Sequence, residues 1–280
     1  MEFKPLTNID LTILLETFNQ SFTGYFVPVH LTKKDLEDKI LTESVDLDFS
    51  VGAFEDGKLV GFVLHGYDVV KGVKTLYNAG TGILPAFQGQ GLTVKMYQYI
   101  LPKLKAKGIK RCILEVIDKN EMAIKAYEKV GFKVYRIVDC YKGEVSSEPG
   151  PNLIEFVELR HSDWDILKSF WDWNPTWQQN ITAVIKASDQ NRIIEMLLDK
   201  KIVGYAVVNP AKSRVLQFAI DKKYRRRRLG RKLFEHLNRI CKSELSIINV
   251  DQESTGTKEF LTSIGMEPFI QQFEMELIIE

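Results

Sequence analysis

Apolar and polar positions alternate along the chain in blocks whose period changes in a regular order. The first block, EFKP, is extended and short. It leads past Asn8, a helix-capping residue type, into LTILLETF, where apolar residues return every three or four positions as on one face of a helix. FSVGAFEDGKLVGFVLHG then alternates with period two on both sides of Asp56-Gly57, the pattern of two strands joined by a tight turn. A further strand, TLYNAGTGIL, precedes a glycine-rich loop and an amphipathic helix, LTVKMYQYILPKLKAKG. The half closes with a strongly apolar strand, RCILEVI, a short helix, and a Gly131-Phe132 turn into its last strand.

The second half follows the same order. LIEFVELRHSDWDILKSF repeats the first strand and helix, with Leu159 where Leu6 stood and Ser162 or Asp163 as the cap, and RIIEMLLDKKIVGYAVV repeats the hairpin. LGRKLFEHLNRICKS and LSIINV answer the later helix and the apolar strand. Between the halves, KGEVSSEPGP is polar and punctuated by Gly and Pro. The expected organisation is one domain over 1–145, a linker over 146–152 and a second domain over 153–280. Each is an α/β fold, a central mixed sheet flanked by helices. The length of 280 residues suits two such domains, each able to bury a core.

Charge narrows the functional classes. The 38 Lys plus Arg nearly balance 37 Asp plus Glu, so any anion site is local. No apolar run reaches the roughly 20 residues of a membrane helix, and MEFKPLTNIDLTILLE lacks the form of a signal peptide, so no membrane association and a cytoplasmic location are expected. Cys112, Cys140 and Cys241 are far apart, without CxxC pairing or a histidine cluster, so buried thiols and no metal are expected. The run KKYRRRRLG, from Lys222, is the densest charge in the chain. It reads as a nucleic-acid patch, an import signal or part of an altered phosphate loop. No aromatic-basic interleaving accompanies it, so no nucleic-acid partner is expected.

The chemistry is concentrated after TLYNAGTGIL. Gln88-Gly89-Gln90-Gly91-Leu92-Thr93 ends a strand region and opens a helix, where unpaired amide N–H groups and the absence of side chains suit a phosphate. At fixed distance follow Leu114-Glu115-Val116, Asn120, Ala123, Tyr127 and Gly131-Phe132. This string, QGQGLT with LEVxxxNxxAxxxYxxxGF, closely resembles the GNAT N-acetyltransferase superfamily, whose members transfer an acyl group from coenzyme A to an amine. The resemblance spans both halves in element order and is strongest in motif detail over about residues 75 to 135.

It implies an acetyl-coenzyme A-dependent N-acetyltransferase acting by direct attack of a primary amine in a ternary complex, the oxyanion held by a backbone N–H of the fourth strand. The acceptor is a small-molecule amine or a protein N-terminus. Gln88, Gly89, Gln90, Gly91, Leu92 and Thr93 become the pyrophosphate loop, Thr93 standing where the family uses Gly or Ala. Ile83 and Leu84 become the end of the strand that pairs with the pantetheine arm, and Asn120 a cofactor contact. Tyr127 matches the residue that protonates the departing thiolate, a transfer from a phenol near 10 to a thiol near 8.5. Glu115 is the candidate general base, since a carboxylate in an apolar strand has its pKa raised by desolvation; on a solvent-facing edge, or paired with a lysine, it would be inert. His65 is the reserve base or a structural histidine.

Phe22, Tyr25 and Phe26 are either an acceptor wall or a staple for their loop, and Trp171, Trp173 and Trp177 either a pocket or packing. In the second half Arg225 falls on Gln88, Arg228 on Gly91, Gly230 on Thr93, Ser254 on Asn120 and Leu261 on Tyr127. The proton donor is therefore missing there, and the second domain is expected to be non-catalytic. A coenzyme A-binding sensor or scaffold without turnover is the alternative function.

Overall fold

The computed structural model describes residues 1–145, 154–241 and 243–280, which form two compact units. The linker expected at 146–152 lies outside the described residues.

Unit 1 comprises Met1–Arg136 and Phe273–Glu280. Its strands are β1 (Glu2–Pro5), β2 (Val51–Glu55), β3 (Lys58–Val70), β4 (Val73–Ile83), β5 (Arg111–Ile117) and the C-terminal part of β12 (Glu267–Ile278), adjacent in that order. Its helices are α1 (Leu11–Ser21), α2 (Lys33–Thr42), α3 (Leu92–Ala106) and α4 (Glu121–Val130). The hairpin falls as the alternation requires, Asp56 and Gly57 both taking the positive φ of a two-residue turn (50° and 77°). The first helix begins later than expected. Asp10, not Asn8, is its cap, accepting from the backbone N–H of Thr12, because the chain first closes a turn from Ile9 to Leu6.

The largest core cluster of this unit gathers around α3. Leu92, Met96, Tyr97, Ile100 and Leu104, spaced along one side of α3, pack on Leu76, Cys112, Leu114 and Val116. Burial of each such side chain contributes about 1.5–3 kcal/mol. Met275, Leu277 and Ile279 complete the same cluster.

Unit 2, Ile137–Gln272, repeats the plan. Its strands run in the order β6 (Lys133–Gly143), β11 (Leu245–Asp251), β10 (Arg214–Ile220), β9 (Lys201–Asn209), β8 (Arg192–Leu198) and β7 (Glu155–Leu159). Its helices are α5 (Trp164–Ser169), α6 (Ile181–Lys186), α7 (Leu229–Ile240) and α8 (Thr255–Ser263). Asp163 caps α5, and Asp199 and Lys200 take positive φ at the second hairpin turn.

The division differs from the boundaries expected at 145 and 153. The chain leaves unit 1 within β6 at Arg136, and Phe273–Glu280 returns to it within β12. The last strand of each half thus completes the other's unit. An apolar, alternating C-terminal strand is what the open side of β5 needs, and Met275, Leu277 and Ile279 supply it.

Candidate active site

The site of unit 1 is built where two parallel strands part. β4 and β5 pair only at Thr75–Arg111, Leu76–Cys112 and Tyr77–Ile113, although β4 continues to Ile83 and β5 to Ile117. Beyond Tyr77 the β5-facing backbone edge of β4 therefore lacks a β5 partner, and Ile83 and Leu84 lie at its end. A bulge opens the same region: Leu64 faces Gly80 and His65 faces Asn78, leaving Ala79 without a partner in β3.

The loop that follows has the geometry of an anion cradle. Gly89 and Gly91 take φ of 75° and 69°, and a Cβ at either would meet nothing within 4 Å inside the chain. Gly91 caps α3 without a side-chain hydrogen bond, and among the described residues no acceptor meets the backbone N–H groups of Gly89 to Val94. The Gln88 and Gln90 amides turn back to the carbonyls of Ile83 (3.3 Å) and Ala86 (3.4 Å), which orders the loop. These residues fit a pyrophosphate: open backbone donors at the positive end of a fifteen-residue helix. Thr93 lies in the first turn, half-buried.

Tyr127, on α4, is buried against Tyr97 and Phe132 of the core. Its hydroxyl accepts from Asn78 Nδ2 at 3.5 Å. Burial pushes its phenol up to about 12; the Thr81 hydroxyl opposes this, Tyr25 reinforces it, and Asn78 opposes it less strongly than Thr81. Asn120 caps α4, its Oδ1 accepting from the Ala123 N–H (3.2 Å) and its Nδ2 reaching the Tyr25 hydroxyl (3.5 Å).

Glu115 lies two residues past the last β4–β5 pair. Both carboxylate oxygens are buried, and among the described residues neither has a partner in hydrogen-bonding geometry. Desolvation, then the Glu274 carboxylate, raises its pKa to about 8; the Tyr77 hydroxyl and Arg136 pull it back, and Glu43 adds to the rise. Of its acidic neighbours, Glu274 is ion-paired with Arg136 and Glu43 with Lys39. Among the described residues Glu115 is therefore the carboxylate of this group without its own cation, and its oxygens face neither solvent nor a lysine.

His65 is held inside the core rather than at an open site. It is fully buried, Nδ1 donating to the Phe49 carbonyl (2.8 Å) and Nε2 facing the Tyr97 hydroxyl (3.3 Å), and desolvation lowers its pKa to about 4. The aromatic loop after α1 is stapled to the core. Phe22 stacks on Phe18 (4.6 Å) and Phe18 on Phe62 (5.7 Å), stapling the loop, while Tyr25 reaches Asn120. Asn78, Thr81 and Tyr97 were not singled out by sequence, since one polar residue in a strand or helix carries no signal of its own.

The equivalent place in unit 2 keeps the backbone and changes the chemistry. β10 and β11 pair only at Arg214–Ser246 and Val215–Ile247, and β10 has the same bulge, with Leu216 as the extra residue. Arg226 and Arg228 both hold φ of 62°, the conformation of Gly89 and Gly91, at a cost of roughly 1–2 kcal/mol each for a residue with a Cβ. Arg225 is held by the Ile220 and Phe170 carbonyls and by Asp172, each at 3.0 Å. Gly230 is required because a Cβ there would lie 2.9 Å from the Phe260 ring. Phe218, Phe234 and Phe260 fill the space behind the loop, with centroids 4.9 to 6.2 Å apart. Trp171 and Trp173 line a cavity with Tyr205, Gln217 and Phe218, while Trp177 is buried in packing. The three cysteines are free and buried. Among the described residues there is no group of three metal-ligating side chains and no helix long and apolar enough to cross a membrane.

Comparison with known proteins bears on both units. The chain is 32% identical over 90 residues to N-alpha-acetyltransferase 30 of Schizosaccharomyces pombe, covering 32% of this chain and 60% of that protein. It is 30% identical over 114 residues to mycothiol acetyltransferase of Streptomyces avermitilis, 41% of this chain and 36% of that protein. The match to these two relatives thus spans about a third to three fifths of their length. A tandem GNAT protein from the clavulanic acid biosynthesis pathway shares the fold over 100% of this chain and 98% of its own, with a TM-score of 0.71 at 12% identity. An acetyltransferase structure from Pyrococcus horikoshii does so over 100% and 89%, with a TM-score of 0.70 at 12% identity. The model of the acetyltransferase (GNAT) family matches residues 13–132 and again 155–266, and on that double match the chain belongs to the GNAT family as a tandem member.

Proposed function

We propose that the protein is an acetyl-coenzyme A-dependent N-acetyltransferase whose transfer site lies in unit 1. The observation that carries this is the position of Tyr127, its hydroxyl held by Asn78 in the unit whose β4 and β5 part beyond Tyr77–Ile113 and whose glycine loop opens α3.

In this account Gly89 to Thr93 hold the pyrophosphate through backbone N–H groups, with Gln88 and Gln90 ordering the loop, and Ile83 and Leu84 offer backbone to the pantetheine arm. Asn120 borders the same place. The bound cosubstrate supplies an activated acetyl thioester. Tyr127 gives its proton to the departing sulfur. Burial keeps the phenol protonated at neutral pH, and the same desolvation makes a thiolate beside it a stronger base than a free one. Glu115 accepts the proton of the attacking amine, directly or through water. Its raised pKa matches it to an ammonium better than an ordinary carboxylate would be.

Unit 2 does not carry the transfer in this reading. Leu261 occupies the place of Tyr127, and phenylalanine rings fill the space behind the loop. The sensor alternative called for a solvent-facing Glu115, and the buried carboxylate argues against it. The two relatives are named as an N-alpha-acetyltransferase and a mycothiol acetyltransferase, which supports a protein N-terminus or a small molecule as the acceptor class.

The test is acetyl-coenzyme A with a panel of amines: peptides with free N-termini, amino sugars, polyamines and amino acids, following thiol release. Turnover with at least one class supports the proposal. Tight cosubstrate binding with turnover of none would replace it with the sensor.

A further inference from the structure

Resting on Tyr127 as proton donor, we propose that Asn78 is a positioning residue for the transfer: an ordered chain of hydrogen bonds from His65 through Tyr97 fixes its amide, which shares a hydrogen with the Tyr127 oxygen so that the Tyr127 proton is not bonded to Asn78.

The direction of that chain follows from what each group can do. The Phe49 carbonyl only accepts, so the proton of a neutral His65 sits on Nδ1 and Nε2 must accept. The Tyr97 hydroxyl, 3.3 Å from Nε2, therefore donates to it and is left to accept from Asn78 Nδ2 at 3.0 Å. That fixes which end of the Asn78 side chain is the amide nitrogen. Its oxygen accepts from the Gly80 backbone N–H at 3.0 Å, agreeing with the same assignment. With one Nδ2 hydrogen on Tyr97, the second is shared between the Thr81 hydroxyl at 2.8 Å and the Tyr127 hydroxyl at 3.5 Å, and the Thr81 hydroxyl in turn donates to Asn78 Oδ1 at 3.2 Å. The Tyr127 oxygen thus meets a donor, and its own hydrogen is not committed to Asn78. Such contacts are commonly long without substrate and tighten when it binds. The fully buried His65, the bulge at Ala79 and the amide of Asn78 form one device rather than three unrelated polar residues in a core.

Unit 2 supplies an independent observation. The shared bulge register and helix starts place Val208 on His65, Val215 on Asn78, Phe218 on Thr81, Phe234 on Tyr97 and Leu261 on Tyr127. All five polar positions are apolar in the unit that lacks the tyrosine. Residues needed only to support the bulge or the sheet would not have to change with it, because unit 2 keeps both.

The test combines turnover with a measurement on the protein without cosubstrate. Asn78→Leu, similar in volume, is predicted to lower kcat about 10-fold with the KM for acetyl-coenzyme A unchanged, a part of the roughly 100-fold or larger contribution of a general acid. Added to Tyr127→Phe it changes kcat no further, whereas a structural disturbance would add. In protein labelled with 13C at the tyrosine ζ carbon, Asn78→Leu moves the Tyr127 resonance and leaves that of Tyr99 in place. Tyr97→Phe, which removes one hydroxyl from a buried ring, repeats both effects more weakly and stands in if Asn78→Leu does not fold. Where the panel offers no amine, hydrolysis of acetyl-coenzyme A alone releases the same thiolate and serves as the turnover readout. Wild-type kcat in Asn78→Leu beside a slow Tyr127→Phe overturns the inference alone, as does an unmoved resonance or full additivity. Wild-type kcat in Tyr127→Phe overturns the proton donor as well.

Discussion

Glu115→Gln separates stability from catalysis at one atom. In the folded protein burial and Glu274 hold this carboxyl near 8, against 4.5 for an exposed one. Between those pH values the folded state keeps a proton that the unfolded state has released. Stability is therefore fully present below about 4.5 and is lost as pH rises towards 8. At about 1.4 kcal/mol per pH unit the loss is on the order of 3 to 5 kcal/mol by pH 9, part of it shared with Glu274, Glu43, Tyr77 and Arg136 around it. The amide of the variant has nothing to ionise. Thermal melts should show the variant and wild type close at pH 5 and the variant more stable at pH 9, by about 10 °C at 2–4 °C per kcal/mol. Activity should move the other way. The wild-type kcat/KM rises with pH through about 8, and the variant loses that limb and about 100-fold in rate. Parallel melting curves across pH 5 to 9 would refute the desolvated carboxyl, and an unchanged rate profile would refute its role as base.

Three further outcomes follow from the same geometry. Glu274→Gln removes the second cause of the raised Glu115 pKa and frees Arg136 to oppose it, so the rising limb should move to lower pH; a limb that stays or rises contradicts the assigned coupling. His65 is lowered from 6.5 to about 4, so the folded state binds fewer protons than the unfolded one between those values, and stability on the order of 3 kcal/mol should be lost as pH falls through that window. His65→Phe should flatten this slope in acid melts and leave the region above pH 7 unchanged. Gly91→Ala places a Cβ at φ of 69°, costing about 1 kcal/mol, and it should also raise the KM for acetyl-coenzyme A about 10-fold, equivalent to 1.4 kcal/mol; titration calorimetry with coenzyme A reads the binding part directly.

The order of elements, both hairpins and the duplication were legible because each rests on local periodicity and turn chemistry. The loop and the string from Glu115 to Phe132 were legible because their spacing is fixed along one stretch of chain. Exchange of the last strands was not. The alternation in KVYRIVDCY and in PFIQQFEMELII suits the edge of either unit, and only the assembled cores decide between them. The state of Glu115 was half legible. ILEVI puts it opposite Leu114 and Val116, but its desolvation depends on Glu274, Tyr77 and Glu43, distant in sequence. The support of Tyr127 was not legible at all, since His65, Asn78 and Tyr97 come from β3, β4 and α3 and acquire meaning only when the sheet brings them together. In KKYRRRRLG the sequence showed the charge, and only the backbone showed Arg226 and Arg228 in glycine's conformation.

Comparison of wild type with Tyr127→Phe, in kcat for acetyl transfer and in Kd for acetyl-coenzyme A, tests the central claim most directly. The account predicts a fall in kcat of about 100-fold or more with Kd unchanged. Equal kcat in the two proteins would contradict it.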